Sequence, residues 1–93
     1  MTRTRYAIPI DRVRWNVLDG EVIVIDLNTS YYYSLNKTGT LIWMQLLATP
    51  CTLEELTDAV TAKFQRDSST ARADLIAFLH QMLAEKLIVE LAD

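Results

Sequence analysis

Cysteine occurs once, at Cys51, so no disulfide can close within the chain and the composition suits a reducing cytoplasm. Glycine occurs only at Gly20 and Gly39, which excludes a glycine-rich, phosphate-cradling loop. One histidine, His80, beside one cysteine does not supply the converging ligands of a metal site, so neither metal nor cofactor is expected. Positive charge is also scarce. A net charge of −3 and a pI near 5.0 argue against a nucleic-acid partner held by its phosphates, despite one small cluster at Arg3, Arg5, Arg12 and Arg14. No apolar run reaches the ~18 residues of a membrane helix, and the opening Met-Thr-Arg-Thr-Arg has none behind it, so a cytosolic protein off the membrane is expected.

What is present is 93 residues, 51% of them hydrophobic, which is enough for one small domain (1–93) but not for a deep, enclosed active site. Function is therefore expected on a surface or in a groove. The organising stretch is Tyr31 to Trp43. Tyr31, Tyr32, Tyr33, Ser34 and Leu35 favour a strand, because aromatic side chains suit a pleated, half-buried surface. Asn36 then offers a helix cap, and Leu41, Ile42, Trp43, Leu46 and Leu47 share a broad helical face.

Upstream, residues 1–10 read as a loosely held segment. Val13, Trp15 and Val17 alternate with polar neighbours, Asp19-Gly20 signals a hairpin into Val22–Leu27, and Asn28-Thr29-Ser30 turns the chain back into Tyr31–Leu35. Downstream, the first helix is expected over Thr38–Ala48, ended by Pro50. A capping box, Thr52-Leu53-Glu54-Glu55, opens a second helix to about Phe64, with Leu53, Leu56, Ala59, Val60 and Phe64 inward. The third, Thr70 to Lys86, is the longest, and Leu87–Leu91 reads as a short final strand. Three antiparallel strands followed by three helices make an α+β domain resembling a winged helix-turn-helix.

Catalytic chemistry finds little support. Cys51 lies between Pro50 and the capping Thr52, where a small turn residue is the simpler reading, and His80 has apolar neighbours one turn away on either side. Glu54, Glu55, Asp58, Asp67 and Asp74 read as charges that oppose helix N-terminal dipoles.

Two features call for a partner. The third strand ends a meander without Lys, Pro or Gly to protect its edge, so a peptide, the chain's own tail or a second copy is expected there. The third helix is apolar over more than one buried stripe. With Leu75, Phe78 and Met82 assigned to the core, the shoulder bearing Ile76, Leu79, His80 and Leu83 is left to line a groove with Tyr31–Leu35. Such a groove would accept a peptide as an added strand. On this assignment Leu83→Asp should fold but lose the peptide, and normal binding would move the groove to the shoulder near Phe78.

Asp26-Leu27, Tyr32-Tyr33, Leu35-Asn36, Gly39, Ile42-Trp43, Thr52 to Leu56, Asp74, Phe78-Leu79 and Leu87 together resemble the PqqD-like family of leader-peptide recognition domains. The resemblance runs from about Val13 to Leu91, and the Leu-Asn-x-x-Gly-x-x-x-Trp core is its most specific part. Lys86 departs from it, since many members have glycine there, which leaves the end of the third helix less sharply defined. The resemblance implies a non-catalytic domain that binds the leader of a ribosomally made, later modified peptide between its third strand and third helix. It is most similar to the separate recognition protein of lasso-peptide systems, whose partner is a cysteine protease; a chaperone presenting its peptide to a radical enzyme is the alternative. A monomer or weak homodimer is expected. A winged-helix DNA-binding regulator is the opposing reading, but the third helix offers only Arg72 and Lys86.

Overall fold

The computed structural model describes residues 3–92. Among the described residues nine elements follow one another: β1 (Thr4–Ala7), β2 (Val13–Leu18), β3 (Glu21–Asp26), β4 (Tyr32–Ser34), α1 (Lys37–Ala48), β5 (Cys51–Thr52), α2 (Leu53–Phe64), α3 (Ser68–Ala84) and β6 (Val89–Ala92). They build an α+β fold with two antiparallel three-stranded sheets, ordered β2-β3-β4 and β5-β1-β6.

The first sheet follows the expected meander. Asp19 and Gly20 both take positive φ, 55° and 81°, the backbone of a two-residue hairpin turn whose twist matches the strands on either side. The second turn is tied by the Asp26 carboxylate, whose Oδ1 accepts from the Asn28 amide at 2.8 Å. Asp26 is only 1% exposed, and its Oδ2 pairs with Arg12 Nη2 at 3.5 Å. Burial alone would raise its pKa, but the Asn28 amide and the Arg12 charge outweigh that and hold the carboxyl below its ordinary range.

The second sheet corrects the reading of residues 1–10 as loosely held. Arg5 and Tyr6 pair with Thr52 and Cys51 on one side, while Thr4–Ala7 pair with Ala92–Val89 on the other. A side chain reinforces this strand. Arg5 donates to Glu55 Oε1 at 3.1 Å, and the same oxygen accepts from the Thr52 amide at 2.8 Å within the capping box, so β1 is fastened to the start of α2. Met1 and Thr2 lie outside the described residues. The tail, as β6, is thus committed to β1 and leaves β4 alone.

The core lies between the inner face of the first sheet (Val13, Val22, Val24) and the helices, with Ile42, Trp43, Leu56, Val60, Leu75 and Leu79 at its centre. Trp15 of β2 meets Trp43 edge-on, with ring centroids 6.1 Å apart. Cys51 is buried, its Sγ 3.2 Å from the Thr49 carbonyl, and burial pushes its thiol pKa up, which disfavours the nucleophilic thiolate.

The end of α3 is sharper than the absence of glycine suggested. Lys86 takes a left-handed φ of 62°, its amide bonds to the Leu83 carbonyl at 3.0 Å, and the Leu87 amide bonds to the Met82 carbonyl at 2.9 Å. These are the two bonds of a Schellman motif, closed here at the steric expense that glycine avoids. Lys86→Gly is expected to stabilise the domain by about 0.5–1 kcal/mol, the relief of left-handed strain less the added freedom of the unfolded chain. Thermal unfolding checks this: Tm should rise by roughly 3–6 °C, and an unchanged or lower Tm would contradict the motif's strain.

Candidate functional site

β4, the last strand of the first sheet, is the candidate because of how it pairs. Ile25 faces Tyr32, Val24 faces Tyr33 and Ile23 faces Ser34. The bonds at either end, Asp26 amide to Tyr31 carbonyl at 3.0 Å and Leu35 amide to Val22 carbonyl at 2.9 Å, direct the backbone groups of the odd-numbered residues toward β3. Antiparallel alternation then turns the N–H and C=O of Tyr32 and Ser34 outward, away from the sheet. No strand among the described residues pairs with that edge.

Opposite the edge stands α3, and a cavity of about 400 Å³ lies between them, lined by Tyr32–Asn36, by Phe78, Gln81, Met82 and Glu85 of α3, and by Leu87. Leu35, Met82 and Leu87 are buried apolar residues that form its floor with half-buried Phe78. Tyr33 donates from its hydroxyl to Glu85 Oε2 at 2.9 Å, bridging strand and helix at one end. Burial first and the neighbouring Glu85 second raise the Tyr33 pKa, so its hydroxyl stays a donor.

The Leu35-Asn36-x-x-Gly39 motif shapes the other end. Leu35 turns into the core, and Asn36 caps α1 by accepting from the Gly39 amide at 2.8 Å. Gly39 itself leaves room, since a Cβ there would sit 3.0 Å from Phe78 Cε1 and 3.2 Å from Leu35 Cβ. The missing side chain is what lets the Phe78 ring settle between α1 and the groove.

Of the residues proposed from sequence, Tyr32, Tyr33, Ser34 and Leu35 line this cavity and Tyr31, Ile76, Leu79, His80 and Leu83 do not. Tyr31 is exposed and precedes β4. Leu79 is 1% exposed and central to the core, His80 is exposed, and Ile76 and Leu83 are half-buried, Leu83 against the core. The shoulder proposed from sequence therefore does not face this cavity. At about 100° per residue the buried Ala71, Leu75, Leu79 and Met82 span roughly an 80° arc, and Ile76 and Leu83 flank it on one side while Phe78, Gln81 and Glu85 flank it on the other. The second flank faces β4. Phe78 was visible as the alternative shoulder, but its assignment to the core with Leu75 and Met82 left the groove to the other side.

A different cavity, about 370 Å³, lies between the β2–β3 turn and the helices, with Leu41, Met44 and Phe64 in its lining, but none of its lining residues belongs to an edge strand. Three of the four arginines of the basic cluster are engaged locally: Arg12 with Asp26, Arg14 with the Ile10 and Val13 carbonyls, Arg5 with Glu55. No helix among the described residues is long and apolar enough to cross a membrane.

Comparison with known proteins agrees with this geometry. The family model for coenzyme PQQ synthesis protein D (PqqD) matches residues 21–88, from the start of β3 to the end of the groove. Among solved structures, TbiB1 in complex with the TbiA(β) leader peptide superposes with a TM-score of 0.80 at 32% identity, over 88% of this chain and 93% of that one. No match was found among curated protein sequences.

Proposed function

Because the chain belongs to the PqqD family, we propose that it binds the leader peptide of a ribosomally synthesised, post-translationally modified precursor and presents it to a separate enzyme. The observation that carries this is the outward-facing backbone of Tyr32 and Ser34 set over an apolar-floored groove. An incoming strand completes the β2-β3-β4 sheet, with backbone bonds supplying generic affinity and the groove reading alternate side chains. The likeness to TbiB1, solved with a leader peptide, supports the same occupant here. The protein's own role is non-catalytic, with a cysteine protease of the lasso-peptide type acting on the precursor it holds.

The leader encoded beside this chain, labelled and titrated by fluorescence anisotropy, should bind with micromolar affinity or better, about −8 kcal/mol. That affinity should change little over about a tenfold rise in salt, because a strand-and-pocket interface releases few counterions. Absence of peptide binding, or duplex DNA binding that falls steeply with salt, would overturn the reading.

A further inference from the structure

We propose that Glu85 selects the sequence of the peptide strand, favouring a lysine or arginine two residues from the apolar side chain that fills the groove. The inference rests on the groove being a peptide site and adds what kind of peptide it takes. Glu85 is the one acidic or basic residue among Asp, Glu, Lys, Arg and His in the groove lining. Its Oε2 is held by the Tyr33 hydroxyl at 2.9 Å, whereas Oε1 has no hydrogen-bond partner among the described residues. Glu85 is exposed, so its second oxygen can exchange water for a donor on the peptide, and a cationic donor makes the stronger, charge-assisted bond. Glu85 is also the C-cap of α3, where the partial negative charge of the helix end favours a cation further.

The spacing follows from how strand and helix run. Leu35 and Asn36 lie at the Phe78 end of the groove and Tyr33 at the Glu85 end, so β4 and α3 run in opposite directions and the charge sits at one end of an apolar floor. Along α3, Glu85 is roughly 4.5 Å beyond Met82 and 10 Å beyond Phe78, at about 1.5 Å per residue. Neighbouring side chains on one face of a strand are about 7 Å apart, so a residue over the Phe78–Met82 floor puts its i±2 neighbour beside Glu85. An acidic residue there would meet the carboxylate and be rejected.

The test is selection of displayed random short peptides on the intact protein and on Glu85→Gln, Glu85→Lys and Ser34→Pro, each first shown to keep its thermal transition. Peptides from the unmodified protein should be enriched in Lys or Arg two positions from a large apolar residue. Glu85→Gln keeps an acceptor for Tyr33 but should lose the preference and bind those peptides about threefold to fivefold more weakly, as expected for a partly exposed ion pair. Glu85→Lys should invert it toward Asp or Glu. Enriched peptides that are sensitive to Ser34→Pro but show no charge preference, or the same preference on Glu85→Lys, would overturn the assignment of Glu85 alone. If no peptide is enriched, or capture ignores Ser34→Pro, the groove reading itself fails and this inference with it.

Discussion

Ser34→Pro is expected to leave the domain folded while weakening leader-peptide affinity about 10- to 100-fold. Proline removes one backbone donor, and in a sheet it is tolerated where that donor points away from the neighbouring strand. Ser34 meets this condition, because the bonds to β3 at either end of the strand come from Tyr31 and Leu35 and the alternation leaves Ser34 facing outward. A peptide added at this edge loses the bond to that N–H and must leave its own carbonyl unpaired beside the ring, a penalty of about 1–3 kcal/mol. Circular dichroism and anisotropy together decide it. A folded variant that binds as well as the unmodified protein would show that the peptide does not use this edge. Removing the peptide's own donors that face β4, by N-methylation at successive positions, should map the same register from the other partner.

Leu79→Ala is expected to destabilise the fold by about 2–5 kcal/mol, as removal of a fully buried leucine side chain does when the surrounding core cannot collapse around the space. For a domain of this size that is roughly a 10–25 °C fall in Tm, a large share of a total stability of about 5–10 kcal/mol. Its neighbour gives the contrast: His80 is exposed, so His80→Ala should stay within about 0.5 kcal/mol of the parent. Both residues were placed in the groove on sequence grounds. A Leu79→Ala protein with an unchanged melting curve and lost peptide binding would restore that placement against the structure.

The local grammar of the chain was legible without coordinates wherever a short-range rule applied. Asp19-Gly20 demanded a tight hairpin, Asn36 a helix cap and Thr52 with Glu55 a capping box, and all three form as their side chains and backbone preferences require. The Leu35 to Trp43 core was likewise readable as a family motif, and the structure supplies its reasons: a buried anchor, a cap, a gap for Phe78 and a core tryptophan.

Long-range choices were not legible. Thr4–Ala7 is too short and too mixed in character to announce a strand, and it becomes one because β5 and β6, some 45 and 85 residues away in sequence, offer it both edges. Which shoulder of α3 meets β4 was hidden for a related reason. Helical periodicity ranks residues by their angle to the core, yet it is symmetric about that direction, and only the side on which the chain brings β4 past the helix breaks the symmetry. Here it came past Phe78, Gln81 and Glu85, so two polar residues line the groove, and the apolar Leu79 and Leu83 serve the core instead.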